Sequence, residues 1–179
     1  METLEIGTLV YLPPEEVFEF LIDFPGYARY SKYLQRVKTL SGDGGPGTEY
    51  ALRFQWWKLS YTARSRVTSV DAPDRIDWEV TKDIDASGRW LLKEVEEAAG
   101  AETPQDTATC VKMVVDYDPS SVGRGIIDLP RFVSFSWVID QVQDLIVEEG
   151  ERVVERIVAD LEGERRPVDL SVRTSTTSR

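Results

Sequence analysis

Between Glu49 and Val67 the chain reads EYALRFQWWKLSYTARSRV, and no other stretch limits the fold so tightly. Side chains along a β-strand point alternately to opposite faces of the sheet. With Trp57, Lys58, Leu59 and Ser60 as a hairpin turn, Trp56 stands opposite Tyr61. One face then collects Tyr50, Leu52, Phe54, Trp56, Tyr61, Ala63, Ser65 and Val67, and the other Ala51, Arg53, Gln55, Thr62, Arg64 and Arg66. A slip by one residue would bury the arginines, so the alternation fixes the register. The sheet has one aromatic face and one wet face. On the wet face, Arg53, Arg64 and Arg66 form a basic stripe expected to pair with Asp and Glu of neighbouring strands. Trp57 belongs to the hairpin tip or the outer face, where it either packs over its neighbours or touches a membrane surface or partner.

The same alternation continues at Ile76, Trp78 and Val80, at Trp90 and Leu92, and at Thr109, Val111, Met113, Val115 and Tyr117. Turn signals at SGDGGPG, DAPD, DIDASG and AAGAETPQDT divide residues 35 to 118 into six antiparallel strands. TLEIGTLVYL, residues 3 to 12, supplies a first strand. PPEEVFEFLID follows as a helix, with prolines at its start, glutamates in its first turn, and Val17, Phe20, Leu21 and Phe24 at helical spacing. Pro25 and Gly26 end it, and YARYSKYL reads as a second short helix. From about residue 130 to 161, Phe135, Ile139, Val142, Ile146, Val153 and Ile157 recur with a period near 3.6. That is a helix on the order of 45 Å long. Gly150 lies inside it, and close packing against a bulky neighbour is the favoured reason over a hinge. A sheet with one apolar face needs a cover, and this helix is the only element long enough to lie across it. Residues 1–162 read as one domain and 163–179 as a polar, disordered tail.

Composition narrows the function. With 179 residues and no run of about 20 apolar residues, the chain is expected to be a soluble, cytoplasmic protein with a sizeable core. A net charge of −11 argues against nucleic acid as a partner. The basic residues are mostly Arg, while Asp and Glu total 32, which is the balance a high-salt cytoplasm favours. A halophilic protein of this kind should melt at lower temperature as salt is removed, because the screening length grows from about 3 Å at 1 M to about 30 Å at 0.01 M. A melting temperature independent of salt would remove the halophile inference. Cys110 is the lone cysteine and there is no histidine, so neither a disulfide nor a metal or cofactor site is expected.

The order strand, two small helices, six strands, long helix resembles the helix-grip fold of the START-like superfamily, also called SRPBCC. PPEEVFEFLIDFPGYARYSKYLQRVKTL resembles the opening segment of its polyketide cyclase/dehydrase and coenzyme Q-binding group, in which a D-x-x-x-Y element, here Asp23 and Tyr27, links the two small helices. GTEYALRF, DRIDWEV, SGRWLL and VVDYDP also match that group, and the resemblance covers roughly residues 3 to 160. It implies an α+β fold in which a seven-stranded curved antiparallel sheet wraps around the long C-terminal helix. It also implies a cavity between helix and sheet for an apolar or aromatic small molecule.

The residues support such a cavity independently, because bulky side chains on a curved sheet cannot all pack closely against one helix. The residues expected to line it are Tyr50, Leu52, Phe54, Trp56, Tyr61, Ser65, Trp78, Trp90, Leu92, Thr109 and Met113 from the sheet, with Phe135, Ile139, Val142 and Ile146 from the helix. Plain core packing is the competing reading for the large aromatic residues. Tyr61, Ser65 and Thr109 are the polar candidates for orienting a carbonyl or hydroxyl, unless the backbone satisfies them. Catalysis would need an acid or base near neutral pH, and without histidine the candidates are Glu94 and Glu149, both expected at solvated positions. The sequence therefore favours a non-catalytic binder of a lipid or isoprenoid-quinone-like ligand. A polyketide cyclase, aromatase or dehydratase is the second reading, and a protein-interaction role like that of related ribosome-associated toxin proteins the third.

Overall fold

The structure is a computed structural model that describes residues 1–56, 59–95, 107–122 and 135–176, giving the backbone alone for 135–148. Strand β1 (Glu2–Val10) leads into helix α1 (Pro14–Ile22) and a 3-10 helix (Phe24–Arg29). Six strands follow: β2 (Leu34–Ser41), β3 (Glu49–Trp56), β4 (Leu59–Asp71), β5 (Arg75–Val80), β6 (Asp85–Val95) and β7 (Ala108–Asp118). The long helix α2 (Phe135–Glu162) and a last strand, β8 (Ser171–Thr176), complete the chain. All strands pair antiparallel in one sheet of order β2-β3-β4-β5-β6-β7-β1-β8.

The β3–β4 hairpin differs from expectation in register but not in its faces. Trp56 pairs with Leu59 and Phe54 with Tyr61, so the turn is two residues long rather than four. A two-residue slip preserves side-chain parity, which is the quantity the alternation constrains. Tyr50, Ser65 and Val67 are accordingly buried on the inner face, while Arg53, Gln55, Thr62 and Arg64 are exposed on the outer one. Arg66 donates to Glu49 at 2.6 Å and stands 3.6 Å from Glu79, which is the cross-strand pairing expected of the stripe. Trp57 lies outside the described residues.

Helix α1 begins where expected, with Pro14 in its first turn beside Glu15 and Glu16, and it buries Val17, Phe18 and Leu21. The second small helix is a correction: it is 3-10 and spans 24–29, because Pro25 fits a first turn that needs no N–H donor. Residues from Leu34 onward already belong to β2. Tyr27 explains the Asp23-to-Tyr27 element. Its hydroxyl donates to the Leu21 carbonyl at the end of α1, and the Trp90 indole of β6 hydrogen-bonds to it in turn. One side chain thus caps the helix and pins it to the sheet.

The outer half of α2 packs on the core through Val154, Val158 and Leu161, and Val158 is fully buried. Val153 and Ile157, the stripe positions expected in this half, are half-buried beside that seam. Tyr30 donates to Asp160 at 2.6 Å, and Arg156 donates to the Tyr30 carbonyl at 2.8 Å.

The sheet has eight strands, not seven. The eighth comes from the segment expected to be a disordered tail, which returns along β1 from Gly7↔Ser171 to Glu2↔Thr176. Arg166 anchors the return, donating twice to the Glu162 carboxylate and once to the Leu9 carbonyl at 2.8 Å. Val168 is buried in the core, and Leu170 lies 3.1 Å from where a Cβ on Gly150 would stand. The bulky neighbour expected at Gly150 is therefore this returning segment.

Candidate functional site

The concave face divides into two parts. At the α1 end, Tyr50, Val67, Ile76, Leu92, Val111 and Val10 are buried and pack with Val17, Phe18, Leu21, Phe24 and Val158. Further along the same strands, Leu52, Trp56, Tyr61, Trp78, Trp90 and Met113 are only half-buried, and Phe54 is 38% exposed. Leu59 and Tyr117 are buried at the far rim. The filled part is an ordinary core. The second part is a band of aromatic and apolar side chains that keep part of their surface exposed.

Each expected site residue can now be placed. Tyr50 and Leu92 belong to the filled core, with Tyr50 stacked on Phe24 at 5.1 Å. Ser65 is buried opposite Tyr50. The Thr109 hydroxyl donates to the Leu12 carbonyl at 2.7 Å, the backbone partner that was the alternative to orienting a ligand. The Trp90 indole is engaged by Tyr27. Phe54, Trp56, Tyr61 and Met113 form the partly exposed band, with Leu52 and Trp78 at its edge, where they pack against the core. Phe135, Ile139, Val142 and Ile146 lie on α2 as expected, but their side chains are outside the described residues.

Trp78 has a feature the sequence did not reveal. Its ring lies flat over Gly88 of β6, so close that a Cβ there would sit 2.1 Å from Cζ2 of the indole. Its Nε1 is buried and has no hydrogen-bond partner among the described residues. Trp78 at strand parity with Ile76 and Val80 was legible; the orphaned donor depends on a glycine of the neighbouring strand.

Among the described residues, burial keeps the tyrosine hydroxyls on and beside this face protonated. Burial pushes the Tyr27 hydroxyl well above the ordinary tyrosine range, against the opposing effect of Trp90, with the Asp23 charge adding to the rise. Burial also raises Tyr50 and Tyr61, helped by nearby aspartates. Glu94 is exposed.

Glu149 is not solvated as expected: it is buried, accepting from Lys32 at 3.1 Å and Arg152 at 2.8 Å. The Lys32 hydrogen bond holds its carboxyl below the usual range, with burial opposing and the charges of Lys32 and Arg152 adding to the drop. A lowered folded-state value contributes stability that is complete above the unfolded value, about 4.3, and is lost as pH falls through the folded one. Glu149→Gln should therefore melt below the wild type at neutral pH, and the gap should close as pH drops below roughly 4. A gap that persists unchanged at acid pH would show that the ion pairs are not its source.

A separate cleft of about 580 Å³ opens between the end of α1 and the glycine-rich β2–β3 loop, where Asp23, Asp43 and Tyr50 contribute to its wall. The loop is not a phosphate cradle. The Gly44 N–H donates to Thr48, that of Gly45 to Asp43 and that of Gly47 to the Val67 carbonyl. The carboxylates there also repel anions. Among the described residues, no group of three or more His, Cys, Asp or Glu side chains could hold a metal ion. Among the same residues, no helix is long and apolar enough to cross a membrane.

A curved antiparallel sheet gripping one long helix, with an apolar face that stays partly exposed among the described residues, defines a helix-grip domain of the START-like class. The chain belongs to the polyketide cyclase / dehydrase and lipid transport family, whose profile matches residues 10–146. No curated protein matches it in sequence. Among solved structures it is similar to Ara h 8.0201, with a TM-score of 0.57 and 16% identity over 90% of this chain and 98% of that one. It is also similar to TTHA0849 of Thermus thermophilus, with a TM-score of 0.59 and 16% identity over 90% and 97% of the two chains. A START superfamily protein of Mycobacterium smegmatis gives a TM-score of 0.59 and 14% identity over 91% and 99%. At these identities the three establish the fold. Family and fold together make this a hydrophobic ligand-binding scaffold.

Proposed function

We propose that the protein binds and carries a hydrophobic small molecule, a lipid or isoprenoid-quinone-like compound, between the concave sheet and α2, without transforming it. The observation that carries this reading is the split of the concave face. The α1 end is packed as a core, while Phe54, Trp56, Tyr61, Trp78 and Met113 are left partly uncovered on the same surface. Apolar side chains so arranged gain about 25 cal/mol for each Å² a ligand removes from water. Residues 1–162 form the binding domain in this reading, with the returning segment bracing it. The acidic, lysine-poor composition supports work in a high-salt cytoplasm, and a tryptophan between β3 and β4, Trp57, is suited to brief contact with a membrane surface during loading.

The family description also favours a second reading, a cyclase, aromatase or dehydratase acting on a polyketide-like substrate. The side chains that would act as acid or base weigh against it: Glu149 is held ionised, Tyr27 is held protonated, and Glu94 is in solvent. A homologous series of alkyl and prenyl probes tests the binder. Affinity should rise by up to about fourfold per added methylene until the cavity is full, then level off. Affinity independent of chain length would remove the apolar cavity from the reading.

A further inference from the structure

We infer that the molecule held over the open part of the sheet presents a carbonyl oxygen to the indole N–H of Trp78. This rests on the ligand-binding reading above and names the group by which the site selects among apolar molecules. The Trp78 Nε1 is buried and donates to nothing among the described residues. A buried donor left unpaired costs roughly 1–3 kcal/mol, and solvent cannot reach this one to offset that cost. Packing alone would be served as well by Phe, which carries no donor.

The indole is also held in place. Its ring occupies the space over Gly88, where any Cβ would collide with Cζ2, Cε2 and Cη2 at 2.1 to 2.6 Å. Along β5, Ile76 is fully buried on one side of Trp78, and across β4 its partner Val67 is nearly so. On the other side Val80 is half-buried, as is Tyr61 further along β4. Trp78 therefore stands at the boundary between the filled core and the open band. A ligand entering the band with its apolar tail outward would set its head group against this donor once it displaces the groups that cover the N–H. Two other polar groups of this face are already engaged, the Trp90 indole with Tyr27 and Thr109 with a backbone carbonyl, while the Tyr61 and Ser65 hydroxyls stand on the same face as further donors.

The test compares decyl-1,4-benzoquinone with decylbenzene, which has the same tail and no acceptor, on the wild type and on Trp78→Phe. The quinone should bind the wild type more tightly than the hydrocarbon does, and Trp78→Phe should weaken the quinone roughly threefold to tenfold while moving the hydrocarbon less than about twofold. In the wild type, the ¹H–¹⁵N indole resonance of Trp78 should shift downfield with the quinone and not with decylbenzene, a readout that stands even if the variant folds poorly. Equal affinities for both probes with an unmoved indole resonance would overturn the carbonyl assignment and leave the binder intact. Failure of both probes to bind would overturn the binder reading, and the assignment with it.

Discussion

Gly88→Ala should destabilise the protein by on the order of 3 kcal/mol, a large effect for one added methyl group. In a chain of this size that corresponds to roughly 6–12 °C in melting temperature. The new Cβ would stand 2.1 Å from Trp78 Cζ2, and the indole is a rigid plane that cannot bend away as a lysine or methionine would. It must swing off the strand, yet Val67 and Ile76 beside it are buried and leave no room on that side. The cause is checked by a double-mutant cycle. In a Trp78→Leu background the same Gly88→Ala change should cost less than about 1 kcal/mol, because the colliding ring is gone. A mild effect of Gly88→Ala in the wild-type background would mean that the indole does not lie over β6. The geometry behind its orphaned donor would then fall too.

The legible part of this fold was the part written in periodicity. Alternation from Tyr50 to Val67 and on through Trp78, Trp90 and Val111 identified the inner face correctly, because burial selects parity residue by residue. It could not distinguish a turn of four residues from one of two, since both leave Tyr50 and Phe54 inward and Arg53 and Arg64 outward. The long helix was likewise legible from its repeat. Strand β8 was not, because Ser171 to Thr176 bury almost nothing and join the sheet through backbone pairing to β1, which leaves no hydrophobic pattern. What marks the return is Val168, Leu170 and the Arg166–Glu162 pair, separate side chains with no common period.

The candidate site was legible as a face and not as a site. Tyr50, Leu92 and Phe54 all fall on the inner face by parity, yet the first two are core and the last is 38% exposed. Which of them packs depends on where α1, the 3-10 helix and Val158 come to rest, and that is set by contacts distant in sequence. Glu149 shows the same limit, because the Lys32 that pairs with its charge lies far away along the chain.

Division of the concave face into a packed core and the proposed binding surface predicts opposite responses at its two ends. Phe54→Ala should reduce affinity for an apolar probe by about tenfold, the consequence of removing an aromatic surface of roughly 50–60 Å² of contact at about 25 cal/mol per Å². The same change should cost the apo protein less than about 1 kcal/mol, because that ring is already 38% exposed. Leu92→Ala reverses the pattern. It should lower stability by about 2–5 kcal/mol, since the side chain is buried in the filled core, while leaving affinity within about threefold. Glu94→Gln and Glu149→Gln should leave affinity nearly unchanged, as neither carboxylate belongs to the partly exposed band. An enzyme behaves otherwise: turnover of a polyketide-like substrate would collapse in one of the two Gln variants with binding largely kept. Thermal melts, probe titrations and a turnover assay on these variants separate the readings. Affinity that follows Leu92 rather than Phe54 would move the ligand to the α1 end of the sheet. Lost turnover in either Gln variant would replace the carrier with a catalyst.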